Sequence, residues 1–161
     1  MKLEEAIFAC GCFWGVQHQF DRAKGVVRTT VGYIGGKEEN PTYTEVKAHA
    51  TGHAEAVLVE YDAEQTSYLN LCKLFFEIHD PAQTDGIGPD LGPQYRSEIF
   101  YLNEEQLKES EEVIALLRSK GYEVNTKLTP ATTFWEGEGY HQKYYDKNGG
   151  EPYCHIRVKK F

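Results

Sequence analysis

Basic residues are scarce in this chain: 17 lysines and arginines stand against 25 aspartates and glutamates, a formal net charge of -8. A nucleic-acid footprint or attraction to an anionic membrane needs clustered Lys and Arg, so neither partner is expected. Long apolar runs are missing too. The N-terminal apolar stretch is short, broken by glycines and preceded by Lys2, Glu4 and Glu5, which supports neither a signal peptide nor a membrane span and predicts a cytoplasmic protein. Cysteine occurs only at 10, 12, 72 and 154. Four are too few for a disulfide framework, and Cys10-x-Cys12 lacks the second spaced pair of a structural zinc site. No metal is expected, and thiol chemistry in a reducing compartment fits better. Repeats, low-complexity tracts and linkers are absent, so residues 1–161 read as one globular domain of enzyme size, large enough for a core without staples.

What the chain does have is a reactive-looking junction. Residues 10 to 15 read Cys-Gly-Cys-Phe-Trp-Gly, where the apolar run Ala6–Ala9 gives way to a helical pattern containing Val16, Phe20 and Ala23. A thiol at the first turn of a helix faces unsatisfied backbone N–H groups and the positive end of the macrodipole, which favour thiolate. Cys12 is therefore the candidate nucleophile; the plainer alternative is a small buried hydrophobe. Gly11 and Gly15 permit close backbone approach, and Phe13 and Trp14 set aromatic surface beside the sulfur, suited to a soft apolar group.

Two segments rich in β-branched residues, 25–34 and 54–61, predict strands. A helix is expected from about Ser67 to His79, with Leu69, Cys72, Phe75 and Phe76 at the spacing of a buried stripe, which makes Cys72 a core residue. Another opens at Asn103 as N-cap with Gln106 three residues on, buries Leu107, Ile114 and Leu117, and stops at Gly121. The strands are too few and uneven for a nucleotide-binding doubly wound sheet. The expected fold is α+β: a two-layer sandwich around a mixed, mainly antiparallel sheet, with long irregular loops. The stretches 80–96 and 129–155 resist assignment to regular structure, and the aromatic-rich segment 129–161, carrying Cys154, is expected to wrap the domain and border the site.

Glu55 is the most informative carboxylate. Strand alternation puts it with Val57, Val59 and Tyr61, while Ala54, Ala56 and Leu58 take the other face, so neither side is watery. Desolvation there would keep the carboxyl protonated near neutral pH, as a general acid requires; a solvated, frayed strand end is the alternative. Tyr43 and Tyr95 each follow a proline-fixed turn and could donate to a developing oxyanion, but spacing alone does not single them out of 11 tyrosines. His53, His141 and His155 lack the i, i+4 pairing of a zinc enzyme and are expected to be structural or supporting. Cys154 lies in a Gly-Gly-Glu-Pro-Tyr-Cys run from which a thiol could reach oxidised Cys12; a spare exposed thiol is the alternative.

These residues recur together in one known pattern. Gly11-Cys12-Phe13-Trp14-Gly15, Gly32-Tyr33, Gly35-Gly36, Asn40-Pro41-Thr42-Tyr43, Gly52-His53-Ala54-Glu55-Ala56, His79-Asp80-Pro81-Ala82-Gln83, Gln94-Tyr95-Arg96-Ser97 and Tyr140-His141-Gln142, in that order, closely resemble the peptide methionine sulfoxide reductase A family. The resemblance implies that Cys12 attacks the sulfoxide sulfur of methionine-S-sulfoxide, free or in proteins. It implies that protonated Glu55, with the hydroxyls of Tyr43 and Tyr95, binds and protonates the sulfoxide oxygen. Phe13 and Trp14 would cradle the S-methyl group, and Asp90 would support the site. Cys154 matches a resolving cysteine that closes a disulfide with Cys12, with no prosthetic cofactor and thioredoxin as the external reductant. A monomer acting in repair of oxidised proteins is the expectation. Cys10 lies outside the pattern and reads as core packing, and the solitary Met1 leaves the chain little of its own substrate. A thiol peroxidase, which would not need Glu55, and a non-catalytic methionine-peptide or metal-binding module are the rival readings.

Overall fold

A computed structural model describes residues 2–11, 13–36, 42, 53–82, 86–87, 90–91, 96–142 and 158–161, with only the backbone at 86–87, 90–91 and Tyr140. Strand β1 (Leu3–Cys10) turns fully buried from Ala6 onward, and β3 (Ala54–Asp62) is buried through most of its length. Near-continuous apolar runs of this kind belong in the middle of a sheet. That is where they lie: with β2 (Val26–Ile34), β6 (Ser97–Tyr101), β7 (Lys127–Pro130) and β8 (Trp135–Glu136), they form a six-stranded sheet in the order β7-β6-β1-β3-β2-β8. Every pairing is antiparallel except β6 with β7. The α+β class and the mixed, mainly antiparallel sheet are as expected from the sequence.

One face of the sheet carries Ala6, Phe8, Cys10, Val31, Tyr33, Val57, Val59 and Tyr61, and meets apolar residues from helices α1 (Phe13–Asp21), α2 (Tyr68–Glu77) and α3 (Glu104–Ser119). At its centre the fully buried Phe8 stacks on Phe20, Phe75 and Tyr68 at ring distances of 5.1, 5.2 and 5.9 Å. The other face packs Ile7, Ala9, Ile34, Ala54, Ala56 and Phe100 beneath half-buried Leu58, Ala131 and Phe134. Cys72 lies in the core, as its helical phase predicts.

The helix starts follow their capping residues. Ser67 accepts from the Asn70 N–H, and Asn103 from the Gln106 N–H at 2.9 Å. Gln106 departs from the expected reciprocal cap. Its Oε1 accepts from the Leu102 N–H and its Nε2 donates to the Glu5 carbonyl at 2.7 Å, lashing the start of α3 to β1. The buried stripe of α3 is Gln106, Ser110, Val113, Ile114 and Leu117, which rotates Leu107 to a half-buried flank rather than the core.

Two stretches expected to be irregular contribute strands. Within 80–96, β4 (Gly86–Ile87) and β5 (Asp90–Leu91) form a short antiparallel pair. Within 129–155, the end of β7 and all of β8 lie on opposite edges of the sheet, followed by a single 3₁₀ turn at Gly139–His141. Strands this short carry too few positions to show a period of two. β8 can approach β2 because Gly32 has no side chain: a Cβ there would lie 2.3 Å from the Trp135 carbonyl oxygen and 2.6 Å from the Phe134 ring. Gly32→Ala should therefore destabilise the protein by about 1–3 kcal/mol through overpacking, read as a lowered denaturant midpoint at unchanged m-value.

Residues 158–161 are fastened to the end of α2. The Val158 N–H donates to the Glu77 carbonyl at 2.8 Å, the Lys160 N–H to the Glu77 carboxylate at 3.0 Å, and the Lys160 ammonium to the Phe76 carbonyl at 2.8 Å. A cation on the last carbonyls of a helix satisfies orphan acceptors and complements the dipole. No helix among the described residues is long and apolar enough to cross a membrane.

Candidate active site

Strand β1 ends at Cys10 and α1 begins at Phe13, leaving two residues to turn the chain. Gly11 makes that turn at φ +122°, a conformation costly for any residue with a Cβ. Cys12, the residue between Gly11 and Phe13, lies outside the described residues, as do Tyr43, Tyr95, Cys154 and His155. Asp90 is described only as a backbone residue of β5.

Glu55 is 1% exposed, on the face of the sheet that α1 covers. The solvated, frayed-end alternative is thereby removed. Its Oε1 accepts from the backbone N–H of Phe13 at 3.3 Å, which brings a buried carboxyl to the first turn of α1. Phe13 is fully buried and Trp14 half-buried. Phe13 packs on Tyr33 with ring centroids 5.6 Å apart.

His141 is brought to the same place. Its ring lies 5.3 Å from Phe13 and 5.5 Å from Trp14, and the Trp14 Nε1–H donates to its Nδ1 at 2.9 Å. Indole nitrogen only donates, so Nδ1 is the acceptor and the proton of the neutral ring belongs on Nε2. Burial holds this imidazole below its ordinary value, opposed by the nearby Glu138 carboxylate. Folding therefore disfavours its protonation, and stability falls as pH drops through the unfolded histidine value of 6.5. The melting temperature should be level above that pH and decline below it, with a shallower decline in His141→Gln, whose amide oxygen can still accept from Trp14.

His53 and His79 serve the framework. His53 accepts from the Gly36 N–H at 3.1 Å. His79 lies between the Phe75 carbonyl, at 2.6 Å, and the Ser97 hydroxyl, at 2.8 Å, and Ser97 reaches Thr126 at 2.7 Å. Arg96 donates to Glu98 at 2.6 Å, at the start of β6. Among the described residues no group of three or more His, Cys, Asp and Glu could hold a metal ion.

The remaining thiols are placed for packing. Cys10 and Cys72 are fully buried, and burial pushes the Cys10 thiol well up and the Cys72 thiol up to about 12. Thiolate is the reactive form, so neither competes near neutral pH. Brief iodoacetamide treatment of the folded, reduced protein at pH 7.5 should label neither, as read by peptide mass spectrometry.

A buried, sheet-borne carboxyl and an aromatic wall meet at the first turn of α1, and in an α+β fold this is the arrangement of an enzyme site that takes a soft, apolar group. The family model for peptide methionine sulfoxide reductase matches residues 4–161, and the chain belongs to this family. Its reaction is the thiol-dependent reduction of peptide methionine-S-sulfoxide to methionine, a repair activity. Peptide methionine sulfoxide reductase MsrA of Sulfolobus acidocaldarius is 47% identical over 164 residues, covering 99% of this chain and 93% of its own. Among solved structures, reduced Mxr1 from Saccharomyces cerevisiae superposes with a TM-score of 0.91 at 34% identity, covering 97% of this chain and 92% of its own. The same yeast protein in complex with Trx2 shares the fold, with a TM-score of 0.65 at 24% identity over 97% of this chain and 90% of that one.

His141 has the supporting role expected of it, as the hydrogen-bond acceptor of Trp14. Its one signal was membership of the Tyr140-His141-Gln142 run.

Proposed function

We propose that Cys12, as thiolate, attacks the sulfur of methionine-S-sulfoxide while protonated Glu55 delivers a proton to the sulfoxide oxygen. Oxygen passes to sulfur: methionine leaves and Cys12 becomes a sulfenic acid. Cys154 then attacks that sulfenic sulfur, forming the Cys12–Cys154 disulfide and releasing water, and an external dithiol reduces the disulfide. Tyr43 and Tyr95 donate hydrogen bonds to the oxygen, Asp90 supports the site, and Phe13 and Trp14 hold the S-methyl group. The burial of Glu55 against the Phe13 N–H supports this reading, because it brings a desolvated carboxyl to the first turn of α1, one residue on from Cys12 in the sequence. A sulfoxide oxygen is a poor leaving group until protonated, so the nucleophile needs an acid within reach. The yeast relative's complex with Trx2 supports thioredoxin as the dithiol. We read the protein as a cytoplasmic monomer that needs no prosthetic cofactor.

Rapid quench of the reduced protein with N-acetyl-methionine-S-sulfoxide and no reductant tests the sequence of steps. One methionine should form per chain, with loss of two thiols and a Cys12–Cys154 peptide. In Cys154→Ser one methionine should still form, and dimedone should capture a sulfenic acid on Cys12. Methionine formed without any modification at Cys12 would overturn the reading.

A further inference from the structure

Gln142 is bonded like a residue of a strand, through its side chain. The Val31 N–H donates to its Oε1 at 2.9 Å, and its Nε2 donates to the Val31 carbonyl at 2.9 Å and to the Gly137 carbonyl at 3.0 Å. In an antiparallel ladder a hydrogen-bonded pair exchanges both bonds in this way, and a carboxamide has the same donor and acceptor on one planar group. β8 pairs with β2 at Gly32 with Glu136 and Tyr33 with Trp135, and the Gly137 N–H still donates to the Val31 carbonyl at 2.8 Å, so what the carboxamide supplies at this edge is the acceptor for the Val31 N–H. Beyond them the chain turns away through Gly139–His141, with the His141 N–H donating to the Glu138 carbonyl at 3.0 Å.

His141 is therefore bracketed. On one side the Tyr33 hydroxyl donates to Glu138 at 2.8 Å; on the other the Gln142 carboxamide grips β2. Between these anchors the imidazole takes up the Trp14 N–H. Trp14 is half-buried, so packing covers only part of the indole and this bond contributes to its orientation.

We infer that Gln142 is a positioning residue: by acting as a strand peptide at the edge of β2 it holds His141, and His141 fixes the indole of Trp14 as a wall of the substrate site. The inference rests on the reading of Trp14 as a substrate-binding residue. Binding of the sulfoxide, more than the chemical step, should depend on Gln142.

The experiment is a double-mutant cycle in single turnover with N-acetyl-methionine-S-sulfoxide. Gln142→Ala should raise the half-saturating concentration about tenfold and leave the limiting rate within about threefold, the scale of one lost hydrogen bond in an oriented site. In a Trp14→Phe background, where the indole N–H is already gone, the same change should cost nothing further. In a Trp135→Phe background the single remaining tryptophan should become more accessible to acrylamide when Gln142 is replaced. His141→Phe, which leaves the strand edge intact and removes only the acceptor, should reproduce the binding defect and keeps the test decisive if Gln142→Ala does not fold. Equal, additive losses in both backgrounds, or His141→Phe binding like the parent, would overturn the inference. If Trp14→Phe alone left binding unchanged, the reading of Trp14 itself would have failed instead.

Discussion

Glu55→Gln should slow methionine formation by at least about a hundredfold, the lower end of what a positioned general acid contributes. The replacement keeps the shape of the side chain and an oxygen to accept from the Phe13 N–H, so the first turn of α1 keeps its partner. What it loses is the transferable proton. At 1% exposure water is a poor substitute donor, and the sulfoxide oxygen would have to depart without protonation. The loss should fall on the limiting rate, because the amide can still hydrogen-bond the oxygen in the ground state. Rapid-quench assays with the S epimer, beside a thermal melt showing an intact fold, measure it. A loss below about tenfold would remove Glu55 from the acid role.

Cys12→Ser should form no detectable methionine, a loss beyond about ten-thousandfold. A thiol at a helix head ionises near neutral pH, whereas a hydroxyl there does not. The defect is also one of kind. The sulfoxide must hand its oxygen to an atom that can carry it, which sulfur does as a sulfenic acid; an oxygen nucleophile would have to form an O–O bond. Binding should survive, visible in a Trp135→Phe background as a change in Trp14 emission on adding the sulfoxide. Residual methionine from purified Cys12→Ser would move the nucleophile elsewhere, with Cys154 next to be replaced, since burial disqualifies Cys10 and Cys72.

Much of this was legible locally. The β-branched run of β2, the caps Ser67 and Asn103 and the phase of Glu55 are short-range signals, and the structure follows each of them. Phase alone left Glu55 between two environments; burial by α1 chose one. Leu107 shows the limit of such patterns, since a few tens of degrees of helix rotation decide which flank is covered. The particular contacts of His141 and Gln142 were illegible for another reason. Their partners, Trp14 and Val31, lie 127 and 111 residues away in the chain, and no local periodicity encodes a pairing at that separation. Tyr43, Tyr95 and Asp90 were singled out only by the family pattern.

β1 and β3 are the two innermost strands of the sheet, and they pair from Leu3 with Asp62 to Phe8 with Val57. The first turn of α1 follows the end of one and Glu55 lies at the start of the other, just beyond the last rung. The placing of the Glu55 carboxyl against the first turn of α1 is thus written into a strand register, in the part of a domain whose amides exchange with solvent only on global opening. A slip of one residue would turn Glu55 to the opposite face of the sheet, so any misregistered molecule would be not a slower enzyme but an inactive one.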